Sequence, residues 1–197
     1  MMLDIFLGTR TSWKILFVLS EAPGKAVSHR EIRELTQLGN KVITKFLIIL
    51  KKADIIIAEK IGKTTYYKIN MNNGYSEQIL GLIAREKTAI NNLDFKITNI
   101  LRDFVYELTN GDIASIHALY IFGSYAKRTY THDSDIDVAI ILTEKNTALE
   151  LEITGIIDYI EKRYHKEIQP HYYTIKEFEN KKNKLIQEIR KDGIPLM

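Results

Sequence analysis

Between positions 123 and 137 the chain reads Gly-Ser-Tyr-Ala-Lys-Arg-Thr-Tyr-Thr-His-Asp-Ser-Asp-Ile-Asp. Glycine at 123 lets a backbone approach a bound anion closely. The Ser124 hydroxyl and the free N–H groups at a helix start can hold phosphate oxygens. After ten intervening residues, Asp135 and Asp137 flank Ile136. If that segment is a strand, both carboxylates leave one face while Ile136 enters the core. Paired carboxylates repel, and a divalent cation with a preference for oxygen, such as Mg²⁺ or Mn²⁺, relieves the repulsion. Phosphate binders on one side and a metal-binding pair on the other describe a site for a nucleoside triphosphate and its cation.

The elements around these residues alternate strand and helix. Leu119–Phe122 and Ile136–Leu142 are apolar runs rich in strand formers and read as strands, and Ile168–Thr174 reads as a third strand, made less regular by Pro170. Ala148–Tyr164 is predicted helical, with Leu149, Ile153, Ile156, Ile157 and Ile160 on its apolar side. Glu177–Lys191 is predicted as one closing helix, stopped by Gly193 and Pro195.

Gly123, Ser124, Asp135 and Asp137 resemble the GS-x10-DxD signature of the DNA polymerase beta-like nucleotidyltransferase superfamily, and most closely its minimal prokaryotic branch, some members of which carry an N-terminal winged helix. The resemblance implies a small mixed sheet with helices on its faces. The implied activity is transfer of a nucleoside monophosphate from a triphosphate to a protein or nucleic-acid acceptor, with pyrophosphate released. Gly123, Ser124 and Lys127 would bind the nucleotide, and Asp135 and Asp137 would ligate Mg²⁺ or Mn²⁺ and act catalytically.

Three departures stand beside the resemblance. Arg128 replaces a glycine that often ends the short helix in a left-handed conformation, so the loop is expected to close differently. A third carboxylate usually comes from the next strand. Here Glu167, Gln169 and His171 share a face, Glu167 is the sole acid, and an amide at 169 cannot act as a base. The acceptor is not identified by any residue. His132 and the rings of Tyr125 and Tyr130 read as surface features open to a substrate contact, while His117 and His165 read as structural. Some minimal nucleotidyltransferases act as antitoxins beside an all-helical toxin, which gives a toxin or another protein as a possible acceptor.

Residues 1–72 have a different pattern. Trp13, Leu16, Phe17 and Ser20 have helical spacing, with Thr11 or Ser12 as cap and Ala22-Pro23-Gly24 as stop. Ser28 and Glu31 make a capping box for a second helix carrying Ile32 and Leu35. After a Leu38-Gly39 turn, Asn40 caps a third helix with Ile43, Phe46, Leu47 and Leu50 in one stripe. Strands at Ile55–Glu59 and Thr65–Ile69 flank a turn at Ile61-Gly62-Lys63. Three helices followed by a hairpin resemble a winged helix-turn-helix. In that arrangement Asn40, Lys41, Thr44 and Lys45 would face DNA, with Lys60 and Lys63 at the wing tip. An interaction or dimer module is the alternative. Residues 73–110 carry an apolar stripe from Ile79 to Leu108. It reads as one long helix, or two broken near Asn91-Asn92, and as a linker able to pair in a homodimer. Residues 111–197 form the nucleotidyltransferase domain.

Composition agrees with an α/β protein of 197 residues, 45% hydrophobic and 27% charged. Absence of Cys excludes disulfides and thiolate chemistry and favours a reducing, cytoplasmic setting. No run approaches the ~18 apolar residues of a membrane span. Asp4, Arg10 and Lys14 interrupt any signal-peptide pattern. The net charge is +3, yet residues 1–74 hold 12 Lys+Arg against 6 Asp+Glu, and the remainder 16 against 19. The excess of cations in the first part suits a polyanionic partner such as DNA. A DNA-binding regulator that binds nucleotide without turnover is the second reading of the whole chain.

Overall fold

The computed structural model describes residues 9–21, 25–90, 92–111, 113–180 and 182–197. The proposed helix stop at Ala22-Pro23-Gly24 and the Asn91 half of the Asn91-Asn92 break lie outside them. The chain forms two compact units, Met1–Thr88 and Ala89–Met197.

In the first unit, α1 (Arg10–Ser20) starts where the Thr9 hydroxyl accepts from the Ser12 N–H at 3.2 Å, so the cap is Thr9 rather than Thr11 or Ser12. Ile15, Leu16, Phe17, Val18 and Leu19 are all buried, because neighbouring elements cover more than one side of this helix. After β1 (Val27–Ser28), Ser28 caps α2 (His29–Thr36) in a reciprocal box with Glu31. The Ser28 hydroxyl and then its N–H hold the Glu31 carboxyl below the usual carboxylate range. Leu35, expected on the apolar side, is exposed, and Thr36 is buried instead, with its hydroxyl donating to the Ile32 carbonyl. Gly39 caps α3 (Asn40–Lys52), and Asn40 is its first helical residue rather than its cap. Ile43, Leu47 and Leu50 of α3 are buried.

Strands β2 (Ile56–Ile61) and β3 (Thr64–Ile69) form an antiparallel hairpin, and β1 adds to β3. Ile61 pairs with Thr64, leaving a two-residue turn in which Gly62 takes φ +60°. The order α1-β1-α2-α3-β2-β3 is that of a winged helix-turn-helix. Helix α4 (Ser76–Ala89) follows, with Ile79 and Ile83 buried.

In the second unit, Asp94 caps α5 (Phe95–Thr109) by accepting from the Ile97 N–H. The apolar stripe of residues 73–110 is therefore two helices, α4 and α5. A 3-10 turn leads to β4 (Ile116–Ile121), the short helix α6 (Gly123–Lys127), β5 (Ile136–Leu142), α7 (Thr147–Tyr164) and β6 (Ile168–Thr174). One closing helix was expected. Two form, α8 (Ile175–Phe178) and α9 (Lys184–Asp192), because Thr174 boxes with Glu177 and Asn183 caps a fresh start. The segment expected only to stop that helix is a strand, β7 (Ile194–Pro195). The sheet order is β6-β5-β4-β7, with β5 and β6 parallel and the other pairs antiparallel.

Strand β5 is central and covered on both faces, which is why its sequence is an almost unbroken apolar run. Ile136, Val138, Ile140 and Leu142 enter the main core with residues of α5 and α7. Ala139 and Ile141 enter a smaller core with Phe122 and Ile189. By the period of two, Asp137 belongs to this second face.

Candidate functional site

The site is built where β4 gives way to α6 beside the start of β5. The Phe122 N–H donates to the Asp137 carbonyl at 3.0 Å, which fixes the corner against the strand. Gly123 then takes φ +66°, and a Cβ there would lie 2.2 Å from Asp137 Oδ2. Both the backbone conformation and the space demand glycine. The carboxylate therefore rests directly against the corner whose first N–H groups and Ser124 hydroxyl are available to an anion.

Helix α6 ends at Arg128, which itself adopts the left-handed conformation, φ 58° and ψ 30°. The expected different closure does not occur. Arg128 N–H to Tyr125 carbonyl and Thr129 N–H to Ser124 carbonyl hold the turn. They offset the cost, about 1 kcal/mol, of left-handed backbone at a residue with a Cβ. Lys127 Nζ donates to Glu188 Oε1 of α9 at 2.6 Å, and this bond raises the lysine's pKa. A phosphate reaching Lys127 must share it with Glu188.

Asp137 titrates above the usual carboxylate range. Burial is the main cause, His171 opposes it, and the charges of Asp135 and Glu188 add to it. A half-buried carboxylate repelled by two further carboxylates, with the His171 imidazole opposing them, would be stabilised by a bound cation. Among the described residues no three His, Asp or Glu side chains gather closely enough to hold a metal alone. Asp135 and Asp137 nevertheless fit Mg²⁺, which commonly takes one or two carboxylates and fills its remaining positions with phosphate oxygens and water.

Glu167 and Gln169 divide along the parallel β5–β6 pair. Gln169 is in register with Asp137, so an amide stands beside the second carboxylate. Glu167 is exposed just ahead of β6, and its carbonyl accepts from the Ile136 N–H. Its side chain lines a cavity of about 390 Å³ with Asp135, Asp94, Tyr125, Tyr130 and Lys166, among others. Tyr125 is buried rather than a surface residue, and Tyr130 stacks on it at 4.3 Å. Burial, then the charges of Asp94 and Asp135, push the Tyr125 phenol up to about 12. His132 is exposed beside Asp133. His117 is exposed on β4, and His165 ends α7 in left-handed backbone.

In the first unit the residues expected to face DNA are all exposed: Asn40, Lys41, Thr44 and Lys45 on α3, Lys60 on β2 and Lys63 in the wing turn. A recess of about 620 Å³ runs beside Lys41, Thr44, Lys45 and Ile48. A second, of about 700 Å³, joins α2 to the wing and is lined by His29, Arg30, Arg33, Asn40, Lys63 and Tyr66, among others. The sequence reading missed His29, Arg30 and Arg33, although three such side chains within the first five residues of α2 were a readable signal. It also gave no role to Glu188 or His171.

Residues 107–197 match the family model "Polymerase beta, Nucleotidyltransferase". This part of the chain is therefore a nucleotidyltransferase domain of that family. Among solved structures, a "predicted DNA-binding transcriptional regulator from E. coli" is 21% identical, with a TM-score of 0.36 over 44% of this chain and 83% of its own. HlyU from Vibrio cholerae is 14% identical, with a TM-score of 0.35 over 44% of this chain and 82% of its own. The adhesin competence repressor AdcR from Streptococcus pyogenes is 17% identical, with a TM-score of 0.34 over 54% of this chain and 87% of its own. The winged-helix assignment itself rests on the element order of the first unit. No curated protein matches the chain. Among the described residues, no helix is long and apolar enough to cross a membrane.

Proposed function

We propose that the second unit is a Mg²⁺- or Mn²⁺-dependent nucleotidyltransferase that moves a nucleoside monophosphate from a triphosphate to a hydroxyl of a protein or nucleic-acid acceptor, and that the winged helix binds DNA. The observation that supports this reading is the Asp137 carboxylate lying against the Gly123 backbone, which would bring a metal ligand beside a phosphate-binding corner. Asp135 and Asp137 hold the cation. When bound, it neutralises phosphate charge and acidifies the attacking hydroxyl. The Ser124 hydroxyl and the corner N–H groups bind the triphosphate, and Lys127 donates to it from the end of α6. The acceptor oxygen attacks the α-phosphorus and the bond to pyrophosphate breaks. Glu167, opening on the same cavity as Asp135, takes the acceptor's proton.

Labelled triphosphate, Mg²⁺ and cell extract should give a labelled product that the Asp135→Ala/Asp137→Ala double variant abolishes. Unchanged labelling by that variant would overturn the proposal. The second reading, a DNA-binding regulator that holds nucleotide without turnover, is favoured by Gln169 standing beside Asp137 in place of an acid. It predicts tight DNA and nucleotide binding with no labelled product under the same conditions.

A further inference from the structure

His171 lies on β6 opposite Ala139, one step along the shared face from the Asp137–Gln169 pair. Its Nε2 is 4.0 Å from Asp137 Oδ1. That separation is too long for a hydrogen bond. The same Nε2 is buried and has no hydrogen-bond partner, although the side chain as a whole keeps 29% of its exposure. A buried, unpartnered ring nitrogen is an arrangement proteins usually avoid, because the group loses its water and gains nothing in return.

The other oxygen of the carboxylate faces the glycine corner. Asp137 Oδ2 lies so near Gly123 that a Cβ there would clash with it. The carboxylate therefore stands between the glycine corner at one oxygen and the imidazole at the other. The His171 ring also packs edge-on against Phe122, with centroids 5.1 Å apart, and Phe122 is the residue that caps α6. One side chain thus touches the residue that sets the phosphate corner and points its unsatisfied nitrogen at the metal-binding acid. Ala139, opposite on β5, is small enough to leave the ring this place.

We infer that His171 is the positioning residue for Asp137, its buried Nε2–H donating to Asp137 Oδ1 and holding the carboxylate in its ligating orientation once cation and triphosphate are bound. The inference rests on the nucleotidyltransferase reading given above. A shift of about 1 Å closes the present gap to hydrogen-bond length. Donors that orient a ligating group commonly change metal affinity by about 10- to 100-fold when removed. His171 does not ligate in this account. It acts through Asp137.

Two variants separate the donor from the packing. His171→Gln keeps an N–H at nearly the same reach, and His171→Leu keeps apolar bulk against Phe122 without a donor. Calorimetry would follow Mn²⁺ uptake by the full chain with a non-hydrolysable triphosphate analogue, beside melting curves of each variant. The expected result is at least about 10-fold weaker Mn²⁺ binding in His171→Leu and near wild-type binding in His171→Gln, at similar melting temperatures. Wild-type affinity in His171→Leu would overturn the inference and leave the nucleotidyltransferase reading standing. Equal weakening of both variants would overturn it in favour of packing alone. No Mn²⁺ uptake by the wild-type chain would overturn the reading of the site itself, and the role of His171 with it.

Discussion

The two units carry their candidate residues in opposite ways. In the winged helix, Lys41, Lys45, Lys60 and Lys63 are exposed cations on the surface. In the nucleotidyltransferase domain, Asp137 is a half-buried acid pressed against a glycine, repelled by the charges of Asp135 and Glu188 and opposed in this by His171. The first arrangement costs almost nothing, so its presence says little by itself. The second opposes folding, and groups so placed are concentrated at functional sites. Geometry therefore argues strongly for the second unit, while total charge argues for the first.

The sharpest way to break this contrast is Gly123→Ala. The new Cβ would meet Asp137 Oδ2 at a left-handed backbone position. A loss of about 1–3 kcal/mol in denaturant unfolding is expected, together with loss of triphosphate binding. A variant that folds and binds like the wild type would show that the corner is not built around the acid.

The winged helix offers a graded test. Removing Lys41 or Lys45 should weaken DNA binding for every sequence alike and lower the slope of log affinity against log salt by about 1 each. Arg33→Ala should do the same if the recess between α2 and the wing also follows the phosphates. Salt slopes that stay fixed in all three variants would assign this surface to a protein partner.

Asp137→Asn probes the buried charge through pH. Because the folded-state pKa of Asp137 is raised, the folded protein binds more protons than the unfolded chain between the ordinary Asp value and the raised one. Stability then falls as pH rises through that window. Asn removes this loss, so the variant should melt above the wild type at neutral pH, and the difference should shrink as pH drops through the carboxylate range. Saturating Mn²⁺ should stabilise the wild type and not the variant.

The smallest effect is expected from Arg128→Gly. Glycine relieves the left-handed strain but adds freedom to the unfolded chain, and these terms are each about 1 kcal/mol. A change in stability below about 1 kcal/mol is expected, with the loop conformation retained.

Much of the architecture was legible because it follows from short-range rules. The bounds of β5 came from an apolar run, those of β6 from a short stretch that includes strand-forming Ile168, Tyr172 and Tyr173, and the Ser28–Glu31 box from two residue types three positions apart. The Gly-Ser corner and the acid pair were legible for the same reason: a fixed spacing within fifteen residues carries them. Arg128 misled because local preference argues against left-handed backbone outside glycine, while the turn's hydrogen bonds override that preference. Strand β7 was missed because two residues carry no period, and only the free edge of β4 recruits them.

By itself, the sequence determined which residues alternate, cap and turn, and hence that a winged helix precedes a domain with an acid pair behind a glycine corner. Only the tertiary structure decided that Gly123 makes room for Asp137, that Lys127 is held by Glu188, and that His171 aims at the acid from the neighbouring strand. Periodicity and capping act between residues a few positions apart, whereas these three contacts join residues 14, 61 and 34 positions apart. They exist only after the sheet has paired.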